Sequence, residues 1–391
     1  MELEVYAERL TGSIAPPPFK SEVIRVLILN ALCGKAPSAL IAPDARHCDD
    51  VRSAARAVKA AFLSGEVCDR ENPIPVGSSG ALIRMLAPLL LFLHGRASFS
   101  CEPSLMRRSM SDITNTLGCD IEYDHSKGTV FFSGGRLNGK YYTVHASNSS
   151  QFASGMLIAS ALLGFAVRIV TPVSVPYIEL TLNCLSEFGC KAVRDSRGYL
   201  RFKGELNAQS SYVFQPDLSY AANFIAADLI GGGRHNISIP RSERALSQSD
   251  SRASELFEAA EPNIKDAPDL FPLLCVYALK KHGETVISGT ARLRDKESDR
   301  VEASLALVEA LGGRAEVLSD RVKVYGCGGK LHGGHVSSFG DHRIVMAASV
   351  ASLMCASPVI IHGAEAVSKS APGFFDDFRR LGGTANEFIR K

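Results

Sequence analysis

Along the whole chain, short runs of clustered or alternating apolar residues interleave with longer stretches in which apolar positions recur every three or four residues. The short runs read as strands: Thr129-Val130-Phe131-Phe132, Val167-Arg168-Ile169-Val170, Ile237-Ser238-Ile239, Thr285-Val286-Ile287-Ser288, Val322-Lys323-Val324 and Val359-Ile360-Ile361. The longer stretches read as helices over Gln151 to Leu163, Leu218 to Ile230, Asp269 to Lys281 and Arg300 to Leu311. In the first of these, Phe152, Met156 and Leu157 fall on one face. Strands alternating with helices from end to end predict an α/β fold.

One joint repeats: an apolar helix end, a glycine, a small residue or second glycine, then a strand. It occurs at Leu117-Gly118-Cys119, Phe188-Gly189-Cys190, Leu311-Gly312-Gly313 and Leu381-Gly382-Gly383, with the first glycines spaced 71, 123 and 70 residues apart. A glycine there takes the left-handed conformation that turns a helix back into a strand. If the middle interval holds two units, the 391 residues divide into six β/α units of about 65 residues each. No Pro- or Ser-rich flexible linker separates them, so any domain boundary is crossed by short connections.

Composition narrows the class. With 46% hydrophobic and 21% charged residues the chain reads as an ordinary globular protein, too long for one core of common size. Its 43 Lys+Arg against 41 Asp+Glu leave a net charge of +2, without the basic surplus of a nucleic-acid binder. The ten cysteines, Cys33, Cys48, Cys68, Cys101, Cys119, Cys184, Cys190, Cys275, Cys327 and Cys355, are scattered with no C-x-x-C pair, which predicts reduced thiols and no structural zinc. Met1-Glu2-Leu3-Glu4-Val5 is acidic and unlike a secretory leader. The longest apolar run, Met85 to Leu93, is about half of the ~20 residues that span a bilayer. The expectation is a cytoplasmic protein with no nucleic-acid or membrane partner.

Candidate chemistry gathers at helix starts, where free backbone N–H groups and the helix dipole receive anions. Lys20-Ser21 with Arg25 opens one helix, Gly77-Ser78-Ser79-Gly80 with Arg84 another, and Ser149-Ser150-Gln151 a third. Pro176-Tyr177 marks a fourth start. The C-terminal third holds Pro268-Asp269, Arg294 through Arg300, Asp341-His342-Arg343 and Ser368-Lys369. Singly, each has an ordinary reading: a serine or aspartate N-cap, a solvated charged turn, a structural histidine. The Gly/Ser turn is no nucleotide P-loop, because no Gly-Lys-Ser/Thr follows it. Together the segments point to multiply anionic small molecules.

In order and type these segments resemble the signatures of the 5-enolpyruvylshikimate-3-phosphate synthase family, from Lys20 to Lys369; the Ser-Ser-Gln, Lys-Glu-x-Asp-Arg and Asp-His-Arg blocks are the specific ones. The resemblance implies a two-domain enolpyruvyl-transferase fold, an inverse α/β barrel in which each domain has three repeated β/α units around buried helices. It implies a discontinuous domain of residues 1–19 plus 216–391, carrying the acid/base and phosphoenolpyruvate side, and a domain of residues 20–215 on the shikimate 3-phosphate side. The site would lie in a cleft that closes on substrate, with no metal and no cofactor; the lack of an obvious free edge or coiled-coil repeat makes a monomer the default.

By motif, the resemblance gives Lys20, Ser21, Arg25, Ser149, Ser150, Gln151, Tyr177, Asp269 and Lys296 to shikimate 3-phosphate. It gives Lys20, Gly80, Arg84, Arg108, Gln151, Arg300, Arg343 and Lys369 to phosphoenolpyruvate. Asp269 would take the proton of the 5-hydroxyl, Glu297 would serve C3, Lys20 and Lys369 would assist, and His342 would tune neighbouring charge. The chain departs from the family pattern at Ser78-Ser79-Gly80-Ala81 (usually Asn-Ala-Gly-Thr), at Pro18-Phe19-Lys20 (usually Pro-Gly-Ser-Lys) and at Ser104, where an arginine is usual. Two alternatives stand beside this reading. One is the sister transferase acting on UDP-N-acetylglucosamine, which protonates with a loop cysteine and for which Cys101 is the candidate. The other is a non-catalytic homologue that binds a sugar phosphate.

Overall fold

A computed structural model describes residues 1–41, 47–64, 69–240 and 242–389; Cys68 lies outside them. The chain divides into two compact units, Met1–Pro18 with Gln215–Lys391, and Phe19–Phe214, and each has one hydrophobic core of its own. The N-terminal segment of the first unit ends in Pro16-Pro17-Pro18, whose rings fix φ. Pro18 pairs with Pro216, and Asp217 N donates to Pro17 O at 2.8 Å.

Sheets of one topology recur in both units. The Phe19–Phe214 unit holds two four-stranded sheets, ordered Ile74–Gly77, Arg96–Cys101, Thr129–Ser133, Asp120–Asp124 and Tyr141–His145, Ala166–Val170, Leu200–Lys203, Lys191–Arg194. The other unit holds one more, Gly334–Ser337, Val359–His362, Glu2–Tyr6, Thr384–Glu387, and a three-stranded version, His282–Ser288, Arg321–Cys327, Arg314–Leu318. In each four-stranded sheet the first pair is parallel and the rest antiparallel. The strand that follows the repeated glycine joint is always an edge strand. Gly118, Gly189, Gly312 and Gly382 take φ of 64°, 98°, 86° and 108°, the region glycine enters without a side-chain penalty. A fifth joint, with Gly232 at φ 55°, ends the helix Leu218–Gly231 and leads to Asn236–Ser238, which pairs with Thr11–Ser13 in a two-stranded sheet among the described residues. The wide middle interval thus holds a further joint, 43 residues after Gly189 and 80 before Gly312, where even spacing predicts two units of about 65. Among the described residues, the stretch before Ile74 in the Phe19–Phe214 unit holds the helices Lys20–Leu32 and Asp49–Phe62.

The central helices are apolar nearly all round, which suits burial on every side. Gly80–His94 and Gln151–Leu163 lie so close that a Cβ on Gly155 would stand 2.7 Å from the Arg84 carbonyl oxygen. This contact fixes the Arg84 turn against the helix that Ser150 and Gln151 open. The apolar run Met85 to Leu93 is inside the first of these helices, and among the described residues no helix is long and apolar enough to cross a membrane.

Two predicted elements shift. The strand expected at Ile237 to Ile239 is Asn236–Ser238. The helix expected from Asp269 is the 3-10 turn Pro268–Leu270 followed by Phe271–Lys280. The strand Glu2–Tyr6 is an addition; in a segment read above only for charge, Leu3 and Val5 point inward.

Candidate active site

In the unit of Met1–Pro18 and Gln215–Lys391, three helix starts converge on two arginines. Arg300, the first residue of Arg300–Ala310, is 1% exposed and spends its guanidinium on three carboxylates. Nη1 reaches Asp269 Oδ1 at 2.8 Å, Nη2 reaches Glu297 Oε2 at 2.9 Å, and Nε reaches Asp341 Oδ2 at 3.0 Å. Arg343, the second residue of His342–Ala351, donates through Nη2 to Asp269 Oδ2 at 3.0 Å and to Ser219 Oγ at 2.9 Å. Both oxygens of Asp269 are therefore held by guanidinium groups. Burial alone would raise its carboxyl, but Arg343, Arg300 and Lys296 outweigh burial and hold it well below the usual carboxylate range.

Lys369 Nζ stands 3.9 Å from Glu297 Oε1. Burial lowers Lys296 to about 8, helped by Arg300 and Arg292 and opposed by Asp269. His342 is buried, its Nδ1 3.7 Å from Asp341 Oδ1, beyond hydrogen-bond length. Asp341 accepts from Arg343 N at 2.9 Å and Ser298 Oγ at 3.2 Å, so one buried carboxylate both caps a helix and anchors Arg300.

The Phe19–Phe214 unit brings together the remaining predicted residues in two groups. Arg25, also 1% exposed, donates to Thr181 Oγ1 at 2.7 Å, Ser21 O at 2.7 Å, Ser154 Oγ at 3.0 Å and Tyr177 O at 3.1 Å. It ties Lys20–Leu32, Gln151–Leu163 and Val175–Glu187 together, and burial lowers it to about 10. Ser150 holds the N-cap position of its helix but makes no side-chain cap bond, whereas Ser149 Oγ accepts from Gln151 N at 3.2 Å. Lys20 Nζ is 2.8 Å from Asp50 Oδ2. In the second group, Arg84 donates to Ser109 O at 2.6 Å and lies 3.6 Å from Asp112 Oδ2, and Arg108 is buried beside it. Gly80 is what admits both: a Cβ there would stand 2.7 Å from Arg108 Nη1 and 2.9 Å from Arg84 Nη1.

Sequence reasoning did not single out Asp50, Asp112, Ser154, Thr181, Asp217, Ser219 or Asp250. Asp217 had a signal, since Pro216-Asp217 repeats the Pro268-Asp269 pattern before an apolar helix. It caps Leu218–Gly231 through Ser219 N and Tyr220 N. Asp269, by contrast, caps nothing, because the 3-10 turn carries it away from the N-cap position of its helix.

This arrangement offers two carboxylates able to exchange protons, fixed cations beside them, and helix starts fitted to phosphate or carboxylate groups. The sequence model of the family described as EPSP synthase (3-phosphoshikimate 1-carboxyvinyltransferase) matches residues 6–258 and 244–378. The 3-phosphoshikimate 1-carboxyvinyltransferase of Thermococcus kodakarensis is 32% identical, over 96% of this chain and 98% of its own. That of Methanocorpusculum labreanum is 30% identical, over 99% of this chain and 100% of its own. Among solved structures, an EPSP synthase from Acinetobacter baumannii superposes with a TM-score of 0.71 at 22% identity, covering 99% of this chain and 100% of that one. The enolpyruvyl transferase NikO from Streptomyces tendae does so with 0.69 at 16%, covering 98% of each; both likenesses speak to the fold. A family match across nearly the whole chain, joined to relatives at this identity over nearly their full length, makes the chain a member of the EPSP synthase family.

Proposed function

We propose that the chain transfers the enolpyruvyl group of phosphoenolpyruvate to the 5-hydroxyl of shikimate 3-phosphate, as a step of aromatic amino acid biosynthesis. The observation that carries the reading is the Arg300 fork, which holds Asp269 and Glu297 in fixed places with Lys369 beside the second. Addition and elimination need such a pair. The 5-hydroxyl oxygen attacks C2 and its proton goes to Asp269, while C3 takes a proton from the Glu297 and Lys369 pair. A tetrahedral ketal results; phosphate then leaves C2 as C3 returns a proton to that pair, and the double bond reforms.

Ser149, Ser150, Gln151, Ser21, Arg25, Tyr177 and Lys296 form the share proposed for shikimate 3-phosphate. Lys20, Gly80, Arg84, Arg108, Gln151, Arg343 and Lys369 form that for phosphoenolpyruvate, with Arg300 setting the carboxylates and His342 adjusting the charge at Asp341. Each unit carries part of the set. Fixed cations offset the repulsion of two multiply charged substrates and stabilise the leaving phosphate without reorganising. A cytoplasmic, monomeric enzyme goes with this reading; the nine cysteines of the described residues are free thiols, which suits a reducing compartment.

Phosphate release from phosphoenolpyruvate will depend on shikimate 3-phosphate. Release only with UDP-N-acetylglucosamine, or with neither acceptor, would overturn the proposal. Cys101 does not favour the UDP-sugar reading, since burial pushes its thiol up to about 12, far from the operating range of a proton donor. A second result is expected at Gly80. Gly80→Ala places a methyl against two guanidinium groups, so KM for phosphoenolpyruvate should rise roughly tenfold, the worth of one displaced charged hydrogen bond. The melting temperature should hold, because flexible side-chain ends absorb the clash; an unchanged KM would remove Arg84 and Arg108 from the site.

A further inference from the structure

We propose that Asp250 is a positioning residue for the base: a standby carboxylate that receives Arg343 when Arg343 releases Asp269. The inference rests on the reading above in which Asp269 takes the hydroxyl proton. As held in the structure, Asp269 has no oxygen free of a guanidinium, and a carboxylate so held is a weak base. One arginine must let go. Arg300 is fixed by three carboxylates. Arg343 binds Asp269 through a single nitrogen, and its Nε is buried with no hydrogen-bond partner.

Asp250 supplies what Arg343 lacks. It is 1% exposed, and neither Oδ1 nor Oδ2 has a hydrogen-bond partner. A buried orphan donor and two buried orphan acceptors in one charge neighbourhood are uncommon in a native protein and call for a reason. The 3-10 turn Ser249–Arg252 that bears Asp250 is pinned to the start of Leu218–Gly231. Gln248 Nε2 donates to Pro216 O at 2.8 Å, and Gln248 Oε1 accepts from Leu218 N at 3.0 Å. The same helix start presents Ser219 O and Oγ to Arg343. The charged groups facing Asp250 are Asp269, Arg343 and Asp217; burial first, then Asp269, push its carboxyl up to about 7, with Arg343 opposing. In its ionised form Asp250 draws Arg343 across, one Asp269 oxygen is uncovered, and the hydroxyl proton ends there.

Asp250→Asn keeps the shape and removes the acceptor charge. At pH 8 kcat should fall at least about tenfold while KM for both substrates moves less than about threefold, since charged hydrogen bonds of this kind are worth that much. The acid limb of the kcat profile near pH 7 should vanish with it. The double variant Asp250→Asn/Asp269→Asn should be no slower than Asp269→Asn alone, because one residue acts through the other. Stability should move the opposite way. The folded carboxyl titrates above its unfolded value of about 4, so its contribution is present below that pH and lost as pH rises to about 7. The variant should therefore melt higher than the parent at pH 8 and level with it at pH 4.

Parental kcat in Asp250→Asn, multiplicative losses in the double variant, or a kcat loss that accompanies a lower melting temperature would each overturn the proposal. Asp250→Ser serves as a second variant, and if neither folds Asp250 is structural and the proposal falls. If Asp269→Asn itself turns over normally, the assignment of the base fails instead.

Discussion

Arg300→Met is expected to cost about 3–5 kcal/mol of folding stability and to leave no measurable turnover. The magnitude is that of removing one partner from a buried ion network, where the desolvation cost of the charges left behind dominates. Three carboxylates are left behind here. Asp341 is fully buried and loses the guanidinium of Arg300; Asp269 keeps Arg343, and Glu297 keeps Lys369 at 3.9 Å. Together these carboxylates raise the Arg300 guanidinium above its ordinary value even though burial lowers it, so it stays charged at any working pH. Arg300→Lys should recover little, because an ammonium is a point charge that cannot fork toward groups on three elements. Adding Asp341→Asn to Arg300→Met should restore part of the stability and none of the activity, separating the structural role from the catalytic one. Thermal unfolding checks the first half of this; a melting temperature within a degree of the parent would mean that the network does not hold the fold.

The sequence made the repeated architecture legible because its cause is local. A left-handed glycine after a helix leaves a mark on the chain at each joint, and Gly118, Gly189, Gly312 and Gly382 all take that conformation. Gln151–Leu163 and Arg300–Ala310 begin where the patterns begin. The site was legible as a set of residue types and not as a network, since its bonds join distant positions: Arg25 to Thr181 across 156 residues, Arg300 to Asp341 across 41. Pro216-Asp217 and Pro268-Asp269 are the same dipeptide in the same setting, yet one aspartate caps its helix and the other meets two arginines. The difference shows three residues on: Tyr220 N donates to Asp217, whereas Pro272 has no N–H to offer Asp269, which lies in the 3-10 turn Pro268–Leu270. Asp250 carries no such local mark. Its surroundings, Ser247-Gln248-Ser249-Asp250-Ser251-Arg252, read as polar surface, and only the anchoring of Gln248 takes Ser249 and Asp250 inside.

Glu297→Gln is expected to lower kcat by roughly 10²–10⁴, the usual worth of a positioned proton donor, with little change in KM for either substrate. The substitution isolates proton transfer from geometry. The amide oxygen can still accept from Arg300, whose Nη2 now lies 2.9 Å from Glu297 Oε2, so the first turn of Arg300–Ala310 should keep its place. A second readout follows from the chemistry. Addition turns C3 of phosphoenolpyruvate into a methyl group, and elimination removes one of its three hydrogens; in heavy water, deuterium therefore enters C3 of both the product and the substrate recovered by reversal. Without a carboxyl at position 297 that exchange should fall in step with kcat. Lys369 is the rival donor, standing 3.9 Å from the same carboxylate. If Glu297→Gln keeps normal exchange and Lys369→Met abolishes it, the lysine delivers the proton and Glu297 only holds it in line. If Lys369→Met instead raises KM for phosphoenolpyruvate while leaving exchange per turnover intact, the lysine is an anion contact and the proton is carried by Glu297.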